Sequence, residues 1–332
     1  MKEQYIGIDI GGTKCTVVIG GSDGIILKRI AFASGPDAHP DVFLPRFCEA
    51  IDTLLQEHNE GRAPDAIGIS CGGPLDSKRG VIQAPPNLPL WDEVPICSIL
   101  SERYGCPAYL QNDANACAVA EWKFGAGAGT RNMIFLTFGT GLGSGLILDG
   151  KLYEGTNGMA GEAGHLRLAP EGPVGYGKRG SFEGFCSGNG ISQLGTAYLN
   201  KMRNQGKIAA FWPEYLSPEE VTAKDICIAA AEGDADALAI VEESADYLGR
   251  GISVLIDLLN PECIVIGSIF ARAGDLFRPV MERVLKEEAL AQSLRVCRVV
   301  PAKLGEALGD VAALTIAIAF SQEDNIAERE NT

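Results

Sequence analysis

Two stretches of the chain carry the same plan. In the first, an apolar strand pattern, "YIGIDI", meets Gly11-Gly12-Thr13, continues as "KCTVVIGG" and, after an Asp-Gly turn, as "IILKRIAF". In the second, "NMIFLTF" meets Gly139-Thr140-Gly141, continues as "GLIL" and, after Asp149-Gly150, as a third strand. Asp-Gly between alternating apolar runs is a strong hairpin signal. Residues 6–29 and 134–154 therefore read as two copies of one three-stranded unit, each with a Gly/Thr turn between its first two strands. An internal repeat decides architecture before any single motif does. Here it calls for two similar α/β halves, with a nucleotide held in the cleft between them.

The first turn is not a P-loop. A P-loop sets its lysine directly after the last glycine and then opens a helix; here Thr13 separates Gly12 from Lys14, and a strand follows. A turn between strands instead offers successive backbone N–H groups to one point, and such a nest binds phosphate oxygens without a helix. Threonine hydroxyls add donors. The carboxylate of Asp9 cannot bind an anion directly; its chemistry beside phosphate is to hold Mg2+, through water. A single Asp-Gly-Gly turn would be an ordinary turn, and it is the second, matching copy that points to phosphate. Lys14 reads equally as a phosphate contact and as a solvated charge on the hairpin.

Between and after the repeats the pattern alternates. "PDVFLPRFCEAIDTLLQEH" has helical spacing, "DAIGISCGGPLD" is a strand ending in a turn, and "AYLQNDANACAVAEWKFG" is a strand, a polar turn and a helix. The second half is mostly helical, broken by strands at "ECIVIGS" and near "RVCRVVPA", and it closes with the apolar helix "ALGDVAALTIAIAF". An apolar helix that follows a completed half needs a partner. The expected division is therefore an N-terminal domain 1–118, onto which helix 307–320 packs back, and a larger C-terminal domain 119–306. The polar tail 321–332 is expected to be disordered.

Net charge is −15, which argues against nucleic acid and anionic membrane as partners, since both favour a basic surface. The ten cysteines are scattered with no Cys-x-x-Cys pair, so neither a zinc ribbon nor a dithiol redox site is signalled. "MKEQYIGIDI" enters a strand at once and lacks a leader pattern, and no apolar run reaches membrane-spanning length. A cytoplasmic location is the expectation.

These residues resemble the ROK family of sugar kinases and regulators within the hexokinase–actin superfamily, over nearly the whole chain. "DIGGTK" resembles the family's first phosphate motif and "FGTGLGSG" its second. "APPNLPLWDEVPI" resembles its sugar-loop segment, "QNDANACAVAEWKFGAG" its catalytic segment, and "GMAGEAGH" with the later Glu183 its remaining sugar contacts. "CIVIGSIFARAGDLF" resembles the adenosine-side element, with the usual glycine run reduced to Gly267 followed by Ser268 and Ile269. The resemblance implies an α/β fold of two ribonuclease-H-like domains, of actin/hexokinase type, around a cleft. It also implies ATP and Mg2+ as cofactors and a homodimer.

Residue by residue, it implies Asp113 as the general base, and Asn87, Asn112, Asp113, Glu162, His165 and Glu183 around the sugar. Asp9, Gly11, Gly12, Thr13 and Lys14 would face the phosphates from one half and Gly139, Thr140 and Gly141 from the other, with Gly267 on the adenosine side. A sugar presents hydroxyls that both donate and accept, which suits convergent Asn, Asp, Glu and His side chains. On the residues alone Asp113 serves equally well as N-cap of the helix that starts near Ala114; the family match favours catalysis.

Many family members carry a zinc knuckle after the histidine. Here "VGYGKRGSFEG" puts Val174, Tyr176 and Ser181 at its three cysteine positions, leaving only His165. Tetrahedral zinc needs four ligands, so no structural zinc is expected. The expected reaction is ATP-dependent phosphorylation of a hexose at the 6-hydroxyl, glucose being the default. The alternatives are an N-acylhexosamine substrate (N-acetylmannosamine or N-acetylglucosamine) and a non-catalytic sugar-binding regulator. Family repressors carry a helix-turn-helix before the first phosphate motif, where this chain has only Met1–Tyr5, so a kinase is expected.

Overall fold

The computed structural model describes residues 3–35 and 37–330. It resolves into two compact units. One comprises residues 1–129, 154–158 and 306–332, the other 130–153 and 159–305.

The first unit is built on a five-stranded sheet of β1 (Tyr5–Ile10), β2 (Lys14–Gly20), β3 (Ile26–Ala33), β4 (Ala66–Cys71) and β5 (Ala108–Asn112), in the order β3-β2-β1-β4-β5. The first three strands form an antiparallel meander, and β4 and β5 add in parallel to β1. Helices α1 (Pro40–His58) and α2 (Ile96–Tyr104) supply the crossovers, and α3 (Asp113–Phe124) follows β5. The parallel strands β1 and β4 are almost wholly buried, as strands covered on both faces are.

The second unit repeats this plan with β6 (Met133–Leu136), β7 (Ser144–Leu148), β8 (Lys151–Leu152), β9 (Cys263–Ile266) and β10 (Arg298–Pro301), in the order β8-β7-β6-β9-β10. Again the first three are antiparallel and the last two parallel. The expected duplication is thus present at the level of topology. The connections differ: three residues join β1 to β2, whereas seven join β6 to β7, because β6 ends at Leu136 and not at Phe138. The long insertion between β8 and β9 carries α4 (Gly188–Asn204), α5 (Ala223–Ala231) and α6 (Ala235–Leu259); α7 (Ser268–Glu288) follows β9. Their apolar faces close one core around Phe138, Phe182, Phe185, Phe270 and Phe277.

The last helix, α8 (Leu308–Glu330), belongs to the first unit and lies across β1 and β4. Two glycines paired across those strands, Gly7 and Gly68, make the approach possible. A Cβ on Gly7 would sit 2.5 Å from the Leu314 nitrogen, and one on Gly68 2.2 Å from the Ala313 carbonyl oxygen. We expect Gly68→Val to cost about 3 kcal/mol or more, at the upper end for overpacking, because backbone and not a movable side chain stands in the way. An unchanged denaturant midpoint would disprove this account of the helix–sheet contact.

Two boundaries need correction. Helix α3 runs unbroken to Phe124 and packs on α8, so the first unit extends to Gly129 and not to residue 118. The tail from 321 continues α8 as helix to Glu330, while residues 331–332 lie outside the described residues. No glycine or proline follows Ala319 to stop it, and the Tyr109 hydroxyl donates to Asp324 at 2.5 Å.

Candidate active site

In the first unit the candidate residues gather at the carboxyl ends of β1, β4 and β5, where ligands of open α/β sheets bind. The turn Gly11–Thr13 is closed by the Gly11 N–H donating to the Lys14 carbonyl at 3.1 Å. The Thr13 carbonyl accepts from Ser34, which leaves the exposed Thr13 and Lys14 side chains on the outside of the turn. A Cβ at Gly12 would come 2.7 Å from the Asn87 Cβ. The absence of a side chain at Gly12 therefore lets Asn87 lie directly against the Gly11–Thr13 turn.

Asp9, the last residue but one of β1, lies beside the buried Ser70, its register partner on β4, and accepts a hydrogen bond from it. Its carboxylate also overlies the start of α8, where a Cβ on Gly309 would stand 2.9 Å from Oδ2. Burial first, then the charges of Asp310 and Asp113, push Asp9 up to about 6, against the pull of Lys14 and Ser70. Asp310 is buried and tied down, accepting from the Thr16 hydroxyl and from the Arg29 guanidinium, both at 2.5 Å. Neither Ser70, Gly309 nor Asp310 was among the residues singled out from the sequence. A carboxylate in the first turn of an otherwise apolar helix was the available signal for Asp310.

At the end of β5, Asn112 and not Asp113 is the helix N-cap. The Asn112 Oδ1 accepts from Ala114 at 3.0 Å and from Asn115 at 3.4 Å. Asp113 is the first residue of α3, its Oδ1 accepting from the Ala114 N–H at 2.8 Å. The side chain reaches solvent. The protein packed around the carboxyl raises its pKa above the ordinary aspartate value, partly offset by the backbone N–H groups of Ala114 and of Asp113 itself. The capping role that competed for Asp113 is thus carried largely by its neighbour.

In the second unit, the turn after β6 is held by the starts of two helices. The Gly139 carbonyl accepts from Gly188 at the start of α4 at 2.7 Å, and the Phe138 carbonyl from Ile269 at the start of α7 at 3.0 Å. Helix N-termini favour anions, so the Gly139–Gly141 turn lies beside two such ends. Gly267 is the N-cap of α7, and Ser268 adopts φ +47, a left-handed conformation in which glycine is unstrained. The shortened glycine run therefore keeps a glycine-like backbone at one position.

Glu162 and His165 bracket a single 3-10 turn, Ala163–His165. Glu183 lies against it: a Cβ on Gly164 would be 3.3 Å from the Glu183 Cβ. The Glu183 Oε2 accepts from the Leu142 N–H at 3.0 Å, so Glu183 joins the β6–β7 connection to the Ala163–His165 turn.

Where the knuckle would stand, ordinary contacts hold the loop. Ser181 is buried and caps the short helix Phe182–Phe185, accepting from Gly184 at 3.0 Å. Gln193 bonds both the N–H and the carbonyl of Val174. The His165 and Tyr176 rings meet edge to face at 5.3 Å. Phe182 is fully buried, whereas Tyr176 is largely exposed.

Among the described residues no helix is long and apolar enough to cross a membrane, and no group of three or more His, Cys, Asp or Glu side chains is arranged to hold a metal directly. The acidic group Asp9, Asp113 and Asp310 nonetheless suits a hydrated cation. Burial, with repulsion from Asp310 and Asp113, raises Asp9, and a divalent charge held through water would relieve the repulsive part.

The family model described as the ROK family matches residues 5–319. A curated glucokinase of Thermotoga maritima is 33% identical over 317 residues, covering 95% of this chain and 97% of its own. Among solved structures, a ROK family glucokinase from Streptomyces griseus, in complex with glucose and AMPPNP, superposes with a TM-score of 0.73. It is 31% identical, and the match covers 95% of this chain and 99% of that one. A ROK hexokinase from Thermus thermophilus gives a TM-score of 0.77 at 26% identity, covering 96% and 99%.

Proposed function

The chain belongs to the ROK family, and we propose from that membership and from the site that it is an ATP-dependent sugar kinase acting on the 6-hydroxyl of a hexose, with glucose as first candidate. The observation that carries the reading is that Asp113, a carboxylate of raised pKa, opens at the same sheet end as the Gly11–Thr13 turn and Asp9. Phosphoryl transfer needs little more than positioning, charge neutralisation and a base at the attacking hydroxyl.

In this reading the Asp113 carboxylate takes the proton of the 6-hydroxyl as its oxygen bonds to the γ-phosphorus and the bond to ADP breaks. Its raised pKa makes it a stronger proton acceptor than an ordinary aspartate. Asn87, Glu162, His165 and Glu183 orient the sugar; Asn112 adds a contact while capping α3. Gly11, Gly12, Thr13 and Lys14, with Gly139, Thr140 and Gly141, present donors to the phosphates, and Gly267 lies on the adenosine side. Asp9 would hold Mg2+ through water, and the ion would supply neutralisation of the phosphate charge. The protein acts in the cytoplasm as a homodimer.

A coupled assay for ADP release tests this against glucose, mannose, allose, fructose, N-acetylglucosamine and N-acetylmannosamine. We expect turnover that requires ATP and Mg2+ and is greatest with glucose. Best turnover on an N-acetylhexosamine would replace the sugar and keep the chemistry; no turnover on any of them would remove the kinase reading.

A further inference from the structure

Glu154 has no role in the reaction described above. It follows β8 at the point where the chain leaves the second unit, in the segment 154–158 that belongs to the first. Its Oε1 accepts from the Ser77 hydroxyl at 2.9 Å and from the side-chain amide of Gln111 at 3.0 Å. Gln111 is only 2% exposed and is the residue before Asn112.

The orientation of that buried amide is decided by its neighbours. The backbone N–H of Asn112 can only donate, and it lies 2.8 Å from the Gln111 Oε1. The Asn115 side-chain amide donates to the same oxygen at 3.0 Å. With its oxygen committed to two donors, Gln111 must turn its NH2 group the other way, and Glu154 is the acceptor there. Were Glu154 lost, a buried NH2 would lose its acceptor, and the amide would be held from its oxygen side alone. Any swing of the NH2 toward another acceptor would draw Oε1 away from the Asn112 N–H. Asn112 is the N-cap of α3 and Asp113 its first residue, so this would loosen the backbone that aims the Asp113 carboxylate.

We propose that Glu154 is a positioning residue: through Gln111 it fixes the Asn112–Asp113 backbone and so the direction of the catalytic carboxylate. The role rests on the reading of Asp113 as base. It needs a hydrogen-bond acceptor at position 154 and not a negative charge.

Four variants test it. Glu154→Ala should lower kcat about 10- to 100-fold, the scale of a small misplacement at a reacting centre, with KM for ATP little changed. Glu154→Gln retains an acceptor oxygen for Gln111 and Ser77 and should keep kcat within about threefold of wild type, since each hydrogen bond survives. The swap Glu154→Gln with Gln111→Glu should recover activity that Gln111→Glu alone loses. In the single variant two carboxylates face each other; in the double, an amide donates to the new carboxylate while Asn112 and Asn115 still donate to it. Hydrogen exchange at the backbone amides of residues 112–115 gives a readout independent of turnover and should quicken in Glu154→Ala alone.

Wild-type kcat and unchanged exchange in Glu154→Ala would overturn the proposal. So would an equal loss in Glu154→Gln, because charge would then be the requirement. A wild-type protein inactive on every sugar would instead refute the kinase reading, and the exchange comparison would still report whether Glu154 orders residues 112–115.

Discussion

Asp113→Asn should lower kcat by about 100- to 10,000-fold, the range of general-base contributions, while sugar affinity and thermal stability stay close to wild type. The structure explains why the fold should tolerate the change. The main cap of α3 is Asn112, which is untouched, and an asparagine at 113 still offers an oxygen to the Ala114 N–H. Removing a carboxyl whose pKa is raised also removes a charge that the surrounding protein disfavours. What asparagine cannot do is accept the proton of the attacking hydroxyl. Steady-state kinetics with isothermal titration of the sugar separate the two effects. Turnover within a few-fold of wild type would exclude Asp113 as the base; loss of sugar binding in step with kcat would make it a binding group.

Asp9→Asn should do two opposite things. At pH 8 and without nucleotide it should make the protein more stable, and in the assay it should all but abolish activity. The stability sign follows from Asp9 lying at about 6 when folded against an ordinary value of 3.8. Between those values the folded state holds the proton more tightly than the unfolded chain. The stabilisation is complete below about 3.8 and is lost as pH rises through about 6. Above that range the ionised group costs up to about 3 kcal/mol relative to an unperturbed aspartate. Asparagine removes this cost and still accepts from Ser70. Melting curves at pH 5 and pH 8 should therefore diverge: the variant gains several degrees at pH 8 and roughly half as much at pH 5, where the folded carboxyl is protonated and the unfolded one is not. An equal or lower melting point at pH 8 would contradict the electrostatic account. For wild-type activity, protonating Asp9 takes away the charge assigned to hydrated Mg2+. The kcat/KM for MgATP should fall as pH drops through about 6, and added Mg2+ should shift that fall to lower pH.

Stability and function pull apart at Asp9 because Asp9, Asp113 and Asp310 share one small region. Asp310 is locked to Thr16 and Arg29, so it cannot swing away to relieve the crowding. Such clusters are the usual mark of a functional site. Here the cluster supplies a negative potential that an apo protein bears at a loss.

Much of this was legible in the sequence because it depends on short-range pattern. Strand alternation, Gly/Thr turns and Asp-Gly hairpins lie within a few residues of one another, so the duplication could be read from 6–29 and 134–154 alone, and the two sheets follow it strand for strand. The family resemblance, carried by short motifs, marked Asp9, Asp113, Glu162, His165 and Glu183 as candidates, and set against the family's pattern the cysteines are missing at 174, 176 and 181.

Only the tertiary structure decided what those residues experience. The choice of N-cap between Asn112 and Asp113 depended on which side chain met the Ala114 and Asn115 N–H groups, a matter of rotamer and backbone angle that neighbouring polar residues leave open. The placing of the whole of α3 in the first unit, past the expected boundary at 118, depended on packing against α8, which the chain reaches far later. The charge state of Asp9 depended on Asp310, whose own partner Thr16 is 294 residues away in sequence. Glu154 and Gln111 were ordinary polar residues until the fold brought them within 3.0 Å. Local pattern fixes which backbone forms. Desolvation and charge coupling depend on distances in space, and the close approach of α8 across the two glycines of β1 and β4 set those distances around Asp9.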